Sequence, residues 1–214
     1  MLNISSILLG VPIVLIALTV HEFAHGFVSE KLGDPTPRYQ GRLTLNPLAH
    51  LDLMGTVLMI LTGFGWAKPV SINPNYYKDR TKGMALVALA GPLANFIVAI
   101  LAILIGAIIS MLFNKAGIST EFIEIIMFAV AWRNLCFMVF NLIPLPPLDG
   151  FKVAGMFIPK RIYYNILRYE HYVIYAIMAL SLLGVFNMII GTGARVLINL
   201  IYGFTDKLLS ILFW

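Results

Sequence analysis

The residues best placed to do chemistry stand at His21-Glu22-Phe23-Ala24-His25, an HExxH pattern. On a helix, positions four apart share a face one turn apart, so both imidazoles can reach one Zn²⁺ while Glu22, next to the first, can reach a water held by the metal. Zinc lowers the pKa of such a water towards about 7 and polarises a carbonyl, and a neighbouring carboxylate can take and then return the proton. The plain alternative is a pair of histidines satisfied by hydrogen bonds near a helix end. The setting argues against it, because three ionisable residues within a long apolar run are costly unless they serve a function.

A catalytic zinc usually keeps three protein ligands and one open position. The chain has two further histidines, His50 and His171, and few acids in apolar surroundings. Asp149, in Pro147-Leu148-Asp149-Gly150, lies in an apolar segment where an unpaired carboxylate is expensive, which makes it the third candidate ligand. His50, beside Asp52, reads as an extra ligand, as a gate residue or, more plainly, as an interfacial histidine in a turn. Arg133, beside Asn134 within an apolar run, either pairs with Glu124, faces a water-filled cavity or contacts backbone carbonyls.

These residues need an unusual scaffold. The 214 residues are 60% hydrophobic and 12% charged, with a mean hydropathy of +0.89, against roughly half apolar and a quarter charged in soluble domains. A soluble fold could not hide that much apolar surface. At about 20 residues per crossing there is room for five or six spans but not for a separate soluble domain. The net charge of +5, spread thinly between apolar runs, bears on membrane orientation and not on nucleic-acid binding. The single cysteine, Cys136, excludes an intramolecular disulfide. The first twenty residues lack a basic start and a small-residue cleavage site, so they read as a retained span.

Long apolar stretches predict spans at about 4–28, 84–113, 121–143, 171–190 and 195–213. The piece at 51–66 is short, holds three glycines and has an aspartate near its start, which suits a re-entrant or interfacial hairpin better than a crossing. The expected fold is therefore an all-α polytopic membrane protein with about five transmembrane helices plus a re-entrant or β-hairpin membrane-associated segment. It forms one domain over 1–214, with a core at about 4–160 and C-terminal helices at 171–213. Residues 42–48 and 70–72 read as short strands whose edge could hold an extended peptide. If 51–66 does not cross, eleven of the fifteen lysines and arginines fall on one side, the cytoplasmic side by the positive-inside rule. The same topology brings Asp149 to the side that carries the two histidines.

On these residues the chain resembles the site-2 proteases, intramembrane zinc metalloproteases. The resemblance is carried by HEFAH at 21–25, NPLAHLD at 46–52, GPLAN at 91–95 and NLIPLPPLDG at 141–150, and covers about residues 10 to 160. It implies that His21, His25 and Asp149 hold one zinc ion per chain and that Glu22 is the general base. It also implies that Asn95, closing a Gly-x-x-x-Asn pattern begun by Gly91, binds substrate backbone or steadies the oxyanion, and that Asn141 is a second backbone contact. By their own chemistry both asparagines have a plain alternative as hydrogen-bonding glue between helices, and Gly91 as a point of close helix packing.

The resemblance further implies regulated cleavage of transmembrane segments of other membrane proteins, in the plasma or inner membrane, with the active site towards the cytoplasm. The partners expected are such a substrate and the lipid bilayer, with no nucleic acid. The chain departs from the common pattern in reading Asp-Gly-Phe where a second glycine is frequent, in having no span before the catalytic helix, and in having no PDZ or CBS domain. The competing function is a membrane metal-ion transporter or metal-binding protein using the same His, Glu and Asp cluster. It predicts ligands strung along a path through several spans, whereas here they gather at one side.

Overall fold

In the computed structural model, which describes residues 4–62 and 68–213, the chain is helical through most of its length. Helix α1 runs Ile4–Lys31 and contains Pro12. The short α2 (Thr36–Tyr39), a 3₁₀ turn (Pro47–Ala49), α3 (Leu53–Thr62) and a second 3₁₀ turn (Pro74–Tyr76) lead to the long α4 (Arg80–Lys115). Then come α5 (Glu121–Asn141), α6 (Asp149–Ala154), α7 (Lys160–Leu167), α8 (Glu170–Leu182) and α9 (Val185–Phe213). Four helices are long and apolar enough to cross a membrane, at Gly10–Lys31, Arg80–Lys115, Glu121–Asn141 and Val185–Ile211.

The faces of α4 explain why it needs lipid. One stripe, Ala88, Gly91, Asn95, Ala99, Ala102 and Gly106, is buried against neighbouring helices. The opposite stripe, Leu86, Leu89, Leu93, Ile97, Leu101 and Ile105, is exposed. A helix apolar all round is at home only in a large core or in a bilayer. On its buried side α4 packs on both α1 and α5. Ala99, Ala102 and Ile103 of α4 meet Ala131 and Leu135 of α5 and Ala194, Ile198 and Ile201 of α9. In lipid, small residues of this kind let helix backbones approach closely, and van der Waals contact takes over from the hydrophobic effect.

Two expectations change in detail. The stretch 171–190 is not a single span: α8 has 13 residues, about 20 Å of rise against a core of about 30 Å. It stops where Gly184 takes φ +77°, a left-handed conformation that ends helices, and α9 starts at the next residue. The segment expected to be re-entrant or a β-hairpin forms α3, whose 10 residues span only about 15 Å; residues 63–67 lie outside the described residues. No sheet forms among the described residues at 42–48 or 70–72. Asn46 instead caps the turn at Pro47 by accepting from the Leu48 N–H. Pro69 and Pro74, flanking the other segment, have no N–H to give to a ladder.

Candidate metal centre

The long helix α1 carries His21 and His25 on one face, where both are buried. Opposite them runs a stripe of α4 made of Val87, Gly91 and Asn95, spaced one turn apart. Gly91 is the seat: a Cβ there would lie 2.6 Å from His21 Cε1 and 2.6 Å from His25 Nε2. The imidazoles thus rest on the bare backbone of α4. Pro92 follows inside the helix; its ring lacks an N–H and crowds the carbonyl one turn back, which loosens that turn. Beside it, the Val87 carbonyl accepts from His25 Nδ1 at 2.7 Å.

The tautomer of His21 follows from a chain of amides. Asn134 of α5 donates through Nδ2 to the Val130 carbonyl at 2.8 Å, so its Oδ1 faces away and accepts from Asn95 Nδ2 at 2.8 Å. Asn95 Nδ2 also donates to the Ala17 carbonyl at 2.9 Å. With both its hydrogens placed, Asn95 turns Oδ1 to His21 Nδ1 at 2.8 Å. A carbonyl oxygen can only accept, so His21 carries its proton on Nδ1, as His25 does opposite Val87. The neutral rings therefore present bare Nε2 lone pairs, which stand 2.9 Å apart.

Asp149 completes the group as the first residue of α6. Its Oδ2 lies 3.0 Å from His21 Nε2 and 3.0 Å from His25 Nε2. Burial opposes its charge, and the Lys152 ammonium, 2.9 Å from Oδ1, favours it. Gly150 cannot be anything larger, since a Cβ there would lie 2.2 Å from the Leu142 carbonyl oxygen. The Phe151 that replaces a second glycine is buried and stacks on Tyr163, ring centroids 4.7 Å apart, so this departure anchors α6.

The three ligand atoms suit a cation of the zinc type. Two nitrogen lone pairs and one carboxylate oxygen converge, each imidazole is oriented through its other nitrogen, and the donor set is one zinc accepts. Among the described residues, His21, His25 and Asp149 form the one group of three or more histidines, cysteines and acids close enough to hold a metal.

Glu22 is half-buried and accepts from the Val70 N–H at 2.9 Å, so the extended segment after residue 67 touches the carboxylate beside the centre. Asn141, at the end of α5, donates through Nδ2 to the Phe137 carbonyl at 3.0 Å. Asn95 is brought to the centre with its amide already engaged. His50 lies outside the cluster; it is buried and its Nε2 pairs with the Thr44 carbonyl at 2.9 Å. His171 is exposed. Among the described residues Arg133 makes no ion pair with Glu124, whose carboxylate accepts from Ser110 and Thr120. Sequence reasoning missed Val87, whose contribution is a backbone carbonyl, and the part played by Asn134, for which a buried amide in an apolar helix was the available signal.

Residues 104–185 match the model of peptidase family M50. YwhC of Bacillus subtilis is 36% identical over 177 residues, 79% of either chain. Rip2 of Mycolicibacterium smegmatis is 33% identical over 151 residues, 64% of this chain and 52% of the relative, and Rip2 of Mycobacterium tuberculosis is 30% identical over 149 residues with the same coverage. All three are provisionally named as zinc metalloproteases. The chain spans about half the length of the mycobacterial relatives. No solved structure matches the chain.

Proposed function

The chain belongs to peptidase family M50, the site-2 protease family of zinc metalloproteases, and from that premise we propose that it is an intramembrane endopeptidase cutting transmembrane segments of other membrane proteins, as a step in regulated proteolysis. The observation that carries this reading is the convergence of His21 Nε2, His25 Nε2 and Asp149 Oδ2 within 3.0 Å, reached from a helix long and apolar enough to cross a membrane.

His21, His25 and Asp149 would hold the zinc, which when bound would supply Lewis acidity that polarises a peptide carbonyl and acidifies water. Glu22 takes a proton from the attacking water as its oxygen adds to the carbonyl carbon. It returns that proton to the nitrogen as the C–N bond breaks, so the carboxylate ends as it began. Asn141, with one Nδ2 hydrogen on Phe137, has the other to offer to an unwound substrate backbone. Asn95 is assigned to His21, because both its Nδ2 hydrogens are engaged by Ala17 and Asn134 and the side chain is fully buried. The buried amides cost least if they hold the ligands before substrate arrives. The excess of lysine and arginine in the segments around 31–82 and 152–168 supports a site facing the cytoplasm in a plasma or inner membrane.

The test pairs the purified chain in detergent with its Glu22→Gln variant, measuring zinc content and cleavage of a transmembrane substrate. The amide keeps the shape of the side chain but cannot accept the proton, so zinc is expected in both and cleavage in the wild type alone. Comparable cleavage by the variant would remove Glu22 from the mechanism. Zinc uptake into proteoliposomes without cleavage would favour a transporter.

A further inference from the structure

The two oxygens of Asp149 have different partners. Oδ2 faces the two histidine nitrogens, whereas Oδ1 accepts from Lys152 Nζ at 2.9 Å. Residues three apart on a helix share a face, so placing Asp149 first in α6 brings Lys152 directly over it. The carboxylate is buried while the lysine side chain is 36% exposed, so the ammonium reaches in from a partly exposed side chain to the buried carboxylate. The pair is fixed from behind, by Gly150 against the Leu142 carbonyl and by Phe151 on Tyr163.

We propose that Lys152 is a positioning residue that makes Asp149 a one-oxygen ligand and thereby keeps one position on the metal open. The inference rests on the metal centre described above. A carboxylate can give a cation one oxygen or two. Two histidines and a two-oxygen aspartate already make four donors, so a water or carbonyl could then enter only as a fifth ligand in a crowded shell, whereas a one-oxygen aspartate leaves the fourth position to it. A charge-assisted bond from an ammonium is about twice as strong as a neutral one, and here it draws Oδ1 away from the histidines. Lys152 needs no contact with substrate to do this; it acts through the ligand.

Cobalt substitution reads coordination number directly, because the visible bands of four-coordinate Co²⁺ are much stronger than those of five-coordinate Co²⁺. The wild-type chain in detergent is expected to show the strong bands. Lys152→Met is expected to weaken them while metal content stays near one per chain, with kcat falling about 10- to 100-fold and KM little changed. Lys152→Arg, which keeps the charge and the donors, is expected to restore the bands. Lys152→Gln, read the same way, substitutes for the Met variant if that variant does not fold. Bands in Lys152→Met indistinguishable from wild type would overturn the inference and leave the centre standing. A wild-type chain that takes up no cobalt would overturn the centre and the inference together.

Discussion

The Nε2 atoms of His21 and His25 face each other at 2.9 Å, and in the neutral rings both are bare, since each Nδ1 gives its proton to an oxygen of α4. Two lone pairs directed at one point repel unless a cation or a proton lies between them. Metal at this centre should accordingly contribute to the stability of the bundle. Chelation should lower the melting temperature in detergent and added zinc should restore it, because a ligand at 100 times its Kd stabilises by about 2.7 kcal/mol. Asp149→Ala should reduce both zinc content and that metal-dependent gain. A melting temperature indifferent to chelation would argue that the histidines are held without metal.

Gly91 is the point where α1 rests on α4. Gly91→Ala places a methyl 2.6 Å from both imidazoles, and overpacking of this kind costs typically about 1–3 kcal/mol. Expected outcomes are loss of most zinc and of cleavage, with the helices still formed by circular dichroism. Gly191→Ala, where nothing lies within 4 Å, is the matched control and should behave as wild type. Full activity in Gly91→Ala would mean that the ligands do not need this close approach.

The amide chain from Asn134 through Asn95 predicts a graded response. Asn95→Leu removes the acceptor that sets the His21 tautomer, and zinc affinity should fall about 10- to 100-fold. Asn134→Leu leaves Asn95 in place but strips one of its partners, at a cost of about 1–3 kcal/mol for an unsatisfied buried group, with a smaller fall in affinity. Competition with a chromophoric chelator measures both. Equal affinity in all three proteins would reduce the asparagines to helix packing.

Below the centre, Asp34 staples the end of α1 to the loops that follow. It is fully buried and accepts from Ser29 Oγ at 2.8 Å, from the Thr36 N–H at 3.0 Å and from the Asn73 N–H at 2.7 Å. Tyr77 joins the group through Ser29 at 2.6 Å. Burial pushes the Asp34 carboxyl up, but the bonds from Thr36, Asn73 and Ser29 outweigh it and hold the group below its ordinary value. Because the folded pKa lies below the unfolded one, the stabilisation is complete above about pH 3.9 and is lost as pH falls through the folded value. Asp34→Asn should lower the melting temperature at pH 7 and flatten the acid limb of the stability profile. A variant with an unchanged acid limb would place the acid sensitivity elsewhere.

Much of the centre was legible because its chemistry is written in side-chain types. HExxH puts two imidazoles and a carboxylate together by helix geometry, the cost of a carboxylate in an apolar segment singles out Asp149, and the structure brings Asp149 to both histidines. What holds those ligands was not legible. The Val87 carbonyl belongs to every residue type alike, and the part played by Lys152 depends on where α6 begins. Hydropathy found the long helices but ran α8 past Gly184 and put the break at 190–195, inside α9, because it counts apolar residues and is blind to the positive φ at Gly184. The expected strands failed for a local reason, the prolines at 47, 69 and 74.

His21 and Asp149 are separated by 128 positions along the chain. A nascent polypeptide that has emerged only through α4 already carries both histidines, their acceptors on α4 and Glu22, but it lacks the third ligand. On the proposed assignment the site therefore stays incomplete during synthesis until α5 and α6 have followed. An enzyme of the proposed kind would thereby be kept from acting on neighbouring inserting helices before its own bundle has closed.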